Sequence, residues 1–103
     1  MNKQILLGVT GNPVLHSKSP LMFNRIFKES GRDTSCAYTR LAASDARDAV
    51  FLVKELGLSG INVTAPFKND IMAFVDEIED AGTAVGGINT LVNRNGKLKG
   101  FNT

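Results

Sequence analysis

Three polar clusters in this 103-residue chain have residue types and spacing suited to small-molecule chemistry. In the first, His16-Ser17-Lys18-Ser19-Pro20, a serine before a proline reads as a helix start, with Ser19 as N-cap and Pro20 at the first helical position. Two hydroxyls then lie beside free backbone N–H groups and the positive end of a helix dipole, which suits a carboxylate. The plainer alternative makes Ser19 only a cap and Ser17 only a loop residue. The second cluster is Gly60-Ile61-Asn62-Val63-Thr64-Ala65-Pro66-Phe67-Lys68. On a strand, Ile61 and Val63 share one face, while Asn62 and Thr64 share the other. Central parallel strands are normally covered on both faces, so an unpartnered amide or hydroxyl there costs about 1–3 kcal/mol. A hydroxylated ligand would supply the partners, and so would neighbouring backbone. Lys68, at a helix start next to a low-dielectric cleft, could transfer a proton or donate to a developing oxyanion; otherwise it is a solvated lysine. In the third cluster, Gly86-Gly87-Ile88-Asn89-Thr90, with Asn102-Thr103 farther on, asparagine offers a polyol both donor and acceptor. Asn89 read alone is a turn residue.

Several other chemistries are excluded. Neither Gly-x-Gly-x-x-Gly nor Gly-x-x-x-x-Gly-Lys-Ser/Thr occurs, so no dinucleotide or nucleotide phosphate loop is expected. One cysteine and one histidine leave no disulfide framework and no Cys/His zinc cluster, and no structural metal is expected. His16 has no partners for a catalytic triad, and Cys36 reads as a small core residue. The formal charge of +2 has no clustered basic stripe, which argues against nucleic acid. No run of about 18 apolar residues and no signal-peptide pattern is present, so a soluble, cytoplasmic domain is expected, with no membrane contact.

The elements that must position these clusters follow from hydrophobic period. Residues 4 to 10 read as a buried strand closed by Gly11-Asn12-Pro13, and a helix follows with Leu21, Met22, Ile26 and Phe27, ended by Gly31. Thr34 to Leu41 reads as a second strand. Ser44-Asp45 opens a second helix whose stripe is Ala46, Ala49, Val50, Val53 and Leu56, stopped by Gly57. Leu58 to Thr64 is a third strand, and Pro66-Phe67-Lys68 turns into a helix carrying Ile71, Met72 and Val75. Asn89 to Val92 and Lys97 to Phe101 flank an Asn95-Gly96 turn and form a closing antiparallel hairpin. The expected fold is one α/β domain over residues 1–103: an open, mixed, mostly parallel sheet with helices on both faces in three layers. In such a sheet ligands sit at the carboxyl ends of the parallel strands.

Taken in order, Gly11-Asn12-Pro13 with His16-Ser17-Lys18-Ser19-Pro20, Asn62-Val63-Thr64-Ala65-Pro66-Phe67-Lys68, Gly86-Gly87-Ile88-Asn89-Thr90 and Gly100-Phe101-Asn102-Thr103 resemble the substrate-binding domain of the shikimate dehydrogenases. That resemblance implies NADPH-dependent reduction of 3-dehydroshikimate to shikimate, in the route to chorismate and the aromatic amino acids. It implies that Ser17 and Ser19 hold the substrate carboxylate, that Asn62, Thr64, Asn89 and Thr103 contact ring hydroxyls or order the site, and that Lys68 is the catalytic lysine. Phe23 stands where many relatives have histidine, and Gly87 where alanine is frequent. In the family an aspartate that partners the lysine follows the last Asn-Thr, then an NADP-binding Rossmann domain and returning helices. This sequence ends on Thr103, so the isolated chain is expected to be catalytically silent, with NADP held by the domain it lacks. An apolar sheet face without those helices is expected to favour a homodimer. The alternatives are a quinate/shikimate dehydrogenase domain and a standalone module that binds such acids without chemistry.

Overall fold

The computed structural model describes residues 5–12, 17–32 and 35–103, so the readings placed on Gln4, Pro13, His16 and Thr34 lie outside the described residues. The chain runs β1 (Ile5–Gly11), α1 (Ser19–Glu29), β2 (Cys36–Ala42), α2 (Ala46–Glu55), β3 (Gly60–Val63), α3 (Phe67–Asp70), a 3-10 turn (Ile71–Phe74), β4 (Glu77–Ile78), α4 (Asp80–Val85), β5 (Thr90–Arg94) and β6 (Lys97–Phe101). One six-stranded sheet has the order β2-β1-β3-β5-β6-β4. β1 pairs in parallel with β2 and β3, and β4 with β6; β5 is antiparallel to both β3 and β6. The mixed, mostly parallel sheet and its closing hairpin are as expected. Asn95 and Gly96 both have positive φ, 54° and 87°, the conformation that an Asn-Gly hairpin turn supplies.

Apolar side chains on the two faces of this sheet collect two cores. Beneath α1 lie Val9 and Tyr38, flanked by Leu7, Phe23 and Phe27. The larger core, on the opposite face, joins Val50 and Val53 of α2 to Ile61, Val63, Leu91 and Leu98 of the sheet and to Phe67 and Ile71 after β3. Helices therefore cover both faces. α2 starts where its caps predict: Asp45 accepts from the Asp48 N–H at 2.8 Å, and Asp48 accepts from the Ser44 N–H at 2.9 Å.

Six details depart from the sequence reading. Ser19 is not the N-cap of α1. Lys18 holds that place, with its carbonyl accepting from the Met22 N–H at 3.1 Å, and Ser19 is the first helical residue. Leu56 caps α2 and is 55% exposed, so the buried stripe ends at Val53. The helix after β3 lasts one turn and then tightens into the 3-10 turn, because the chain must go extended at Val75 to bring Asp76 and Glu79 onto β6. There the Asp76 N–H donates to the Leu98 carbonyl at 2.9 Å, and the Glu79 N–H to the Gly100 carbonyl at 3.0 Å. β4 and α4 were unforeseen, since a two-residue strand and a six-residue helix carry too little hydrophobic period to read. Cys36 begins the edge strand β2 and is only half-buried. Finally, the most exposed large apolar side chains, Leu21, Met22 and Phe51 among them, sit on helices and not on the sheet, so no bare apolar sheet patch dominates among the described residues.

Candidate functional site

β1 and β3 end side by side, and their last residues are tied together. The Thr64 N–H donates to the Thr10 carbonyl at 2.9 Å, the Thr64 hydroxyl donates to the same carbonyl at 3.2 Å, and the Asn12 N–H donates to the Ala65 carbonyl at 3.1 Å. Thr10 is fully buried and spends its own hydroxyl on the Leu41 carbonyl of β2 at 2.9 Å. The carboxyl ends of three strands are thereby fixed into one rim.

The second half of the chain meets that rim at Asn89. Its carbonyl accepts from the Val63 N–H at 2.8 Å, and its N–H donates to the Phe101 carbonyl at 2.9 Å. Its side-chain Oδ1 accepts from the Thr90 hydroxyl at 3.0 Å, the Thr103 N–H at 3.1 Å and the Thr103 hydroxyl at 3.2 Å, while Nδ2 donates to the Thr103 carbonyl at 3.1 Å. Asn89 is thus more than a turn residue: it clamps Thr103. Asn102 is held beside it by Glu79 Oε1 at 3.2 Å and by the Gly87 carbonyl at 3.1 Å. Lys68 lies in α3 with an exposed side chain, and its carbonyl accepts from the Ile88 N–H at 3.0 Å. Gly87 backs onto Lys68 without positive φ, and a Cβ there would make ordinary contact at 3.5 Å, so glycine and alanine serve equally at 87.

α1 brings the two serines to the same rim. The Ser19 N–H donates to Ser17 Oγ at 3.3 Å, so the hydroxyl that reaches the helix start belongs to Ser17, and the Ser19 hydroxyl is not spent on capping. Arg40 of β2 donates to the Ser17 carbonyl through Nε at 3.1 Å and Nη2 at 2.6 Å, which pins the segment to the sheet. Tyr38, two residues earlier on β2, donates to Asn62 Oδ1 at 2.6 Å. Burial raises the Tyr38 pKa above its usual value, and hydrogen bonding from the Ser19 side chain opposes that rise. Tyr38 and Asn62 are therefore neighbours.

All seven residues singled out in the sequence, Ser17, Ser19, Asn62, Thr64, Lys68, Asn89 and Thr103, fall at this end of the sheet. The groove beneath α1, about 320 Å³, is lined by Phe23, Tyr38, Asn62 and Thr90 among others. A larger hollow of about 600 Å³, lined by Asp76, Arg94, Lys97 and Phe101 among others, lies farther along the sheet and contains none of the seven. Tyr38, Arg40 and Thr10 were missed. A strand tyrosine reads as core and a strand arginine as solvated edge, and only the fold reveals that Arg40, Val9, Asn62 and Thr90 form one row across the sheet. Among the described residues no group of three or more His, Cys, Asp or Glu could hold a metal ion, and no helix is long and apolar enough to cross a membrane.

The fold and site together are those of a mixed α/β domain with hydroxyls, amides and one lysine gathered at its strand ends. Residues 9–91 match the family described as the shikimate dehydrogenase substrate binding domain, and the chain belongs to that family. It is 47% identical over 98 residues to a shikimate dehydrogenase (NADP(+)) of Bacillus cytotoxicus, covering 95% of this chain and 35% of that protein. The crystal structure of shikimate dehydrogenase 1 from Peptoclostridium difficile superposes with a TM-score of 0.86 at 32% identity, over 97% of this chain and 38% of that one. A shikimate 5-dehydrogenase from Listeria monocytogenes, solved in complex with shikimate and NAD, gives a TM-score of 0.84 at 33% identity, over 95% of this chain and 34% of that one. The chain thus spans about a third of the length of these relatives.

Proposed function

We propose that this chain is the substrate-binding part of an NADP-dependent shikimate dehydrogenase that reduces 3-dehydroshikimate to shikimate, a cytoplasmic step toward chorismate and the aromatic amino acids. The observation that carries this reading is that hydrogen bonds join these segments at one rim: Thr64 after β3 to Thr10 of β1, Asn89 before β5 to Thr103 after β6, the Lys68 carbonyl of α3 to Ile88, and Arg40 of β2 to Ser17 just before α1. In this reading all 103 residues act as one binding domain. The resident cofactor fails a test of fit. The β1–α1 connection, residues 12–18, contains no glycine, so it lacks the glycine-rich strand-to-helix turn that holds a pyrophosphate. NADP is therefore assigned to residues outside this chain, whose own part in the reaction is confined to the substrate.

The chain's own residues bind, orient and supply a proton. Ser17 and Ser19, at the start of α1, receive the carboxylate, which the helix dipole favours. Asn62, Thr64 and the Asn89–Thr103 pair place hydrogen-bonding groups around the ring hydroxyls. Lys68 Nζ delivers a proton to the carbonyl oxygen as that carbon is reduced.

Calorimetric titration of the chain with shikimate tests this reading. The expected result is saturable 1:1 binding, weakened at least about tenfold in the Ser17→Ala, Ser19→Ala double variant, equal to the loss of one to two charge-assisted hydrogen bonds. Undiminished affinity in that variant would overturn the carboxylate assignment, and absence of binding would overturn the substrate reading.

A further inference from the structure

Tyr38 stands on the edge strand, yet its hydroxyl reaches past β1 to meet the Asn62 side chain of β3. Two residues of α1 hold it there. The Phe23 ring stacks on the phenol with centroids 4.7 Å apart and planes 17° from parallel. Asn24 grips the backbone of the same residue from both sides: its Nδ2 donates to the Tyr38 carbonyl at 2.7 Å, and its Oδ1 accepts from the Tyr38 N–H at 2.8 Å. α1 therefore carries, in Phe23 and Asn24, the side chains that fix this tyrosine.

A side-chain amide has two opposite ends. An asparagine on an open sheet face can present either its oxygen or its N–H groups to a ligand, and the two are nearly isosteric. In this structure the Tyr38 hydroxyl donates to Asn62 Oδ1 at 2.6 Å, which leaves the two Nδ2 protons for another acceptor. No acceptor among the described side chains takes Nδ2. We infer that Tyr38 is a positioning residue for ligand recognition: it locks the Asn62 amide so that the site offers N–H donors, and hence selects a ligand oxygen that accepts at that point. This inference rests on the reading of the ligand as a hydroxylated ring acid and deepens it, since it makes Asn62 a donor and not an acceptor.

The test has two arms. In the ligand-free chain, labelled for NMR, the Asn62 side-chain amide should give one well-separated pair of Nδ2 proton signals, and Tyr38→Phe should shift and broaden them while the backbone signals of β1 and β3 stay in place. In the binding arm, Tyr38→Phe should weaken shikimate about tenfold in the wild-type background and less than about twofold in an Asn62→Ala background, the signature of action through Asn62. Equal losses in both backgrounds, or Asn62 amide signals unmoved by Tyr38→Phe, would overturn the inference. Should the wild-type chain bind no shikimate, the substrate reading fails by itself, and the Asn62 signals alone decide the role of Tyr38.

Discussion

Gly11 ends β1 directly against the hydroxyl of Thr64, so closely that a Cβ at residue 11 would overlap Thr64 Oγ1 and come within 3.0 Å of the Ala65 carbonyl oxygen. The crowding is the structural consequence of tying two strand ends together at Thr10 and Thr64. Glycine is required at 11 for space, since its φ is not positive.

Gly11→Ala should therefore move Thr64 out of place and destabilise the fold by about 1–3 kcal/mol, the usual range for overpacking. Adding Thr64→Ala should restore part of that loss, because the nearest overlapping atom is then gone. Urea unfolding midpoints of the two variants check this. A Gly11→Ala protein as stable as the wild type would show that the strand ends can separate freely. Shikimate affinity should fall in Gly11→Ala through misplacement of the Thr64 hydroxyl.

Asn89 and Thr103 make the second prediction. Three donors converge on Asn89 Oδ1 and one carbonyl accepts from Nδ2, so removing the amide frees Thr103 at one stroke. Asn89→Ala should cost about 1–2 kcal/mol, because Thr103 is exposed and water replaces part of what is lost. The Thr103 amide should lose its hydrogen-exchange protection while the β5–β6 ladder keeps its own. Asn89→Asp should retain the Oδ1 bonds and lose only the one from Nδ2. If Asn89→Ala left Thr103 protection unchanged, the clamp would be incidental.

The parts legible in the sequence were those with either a long hydrophobic period or a special backbone need. α2 announced itself through Ser44-Asp45 and its buried alanine and valine stripe, and the hairpin through Asn95-Gly96. The site residues were legible because polar types stood where a covered strand should carry apolar ones, as at Asn62. What stayed hidden depends on contacts between strands far apart in sequence. Tyr38 and Asn62 are 24 residues apart, and nothing in either local segment says that a strand tyrosine will spend its hydroxyl on an amide two strands away. The start of α1 was misread for a local reason: Ser17, two residues upstream, reaches the Ser19 N–H, so the helix begins one residue earlier than the Ser-Pro pair suggests.

α2 supplies a control that separates stability from binding. Asp45 caps this helix on the larger core, on the side of the sheet opposite the groove beneath α1. Asp45→Ala should cost about 1 kcal/mol by leaving the Asp48 N–H without its acceptor. Shikimate affinity measured well below the melting temperature should be unchanged. A loss of binding as large as that of the Ser17, Ser19 double variant would mean that affinity follows global stability and does not report the site.

Tyr38 is the chain's only tyrosine and there is no tryptophan, so tyrosinate absorbance reads this one phenol. Burial raises its pKa above the ordinary 10.0, with the Ser19 hydrogen bond opposing. The folded chain thus keeps the phenolic proton at pH values where the unfolded chain has released it. The stabilisation from that difference is fully present below the unfolded value and is lost as pH rises through the folded one. Two measurements follow: the absorbance midpoint of the folded chain should lie above that of the urea-unfolded chain, and unfolding free energy should drop more steeply above pH 10 in the wild type than in Tyr38→Phe. Coincident folded and unfolded midpoints would mean that the phenol is solvated, and the bond to Asn62 would then be too weak to hold the amide in one orientation.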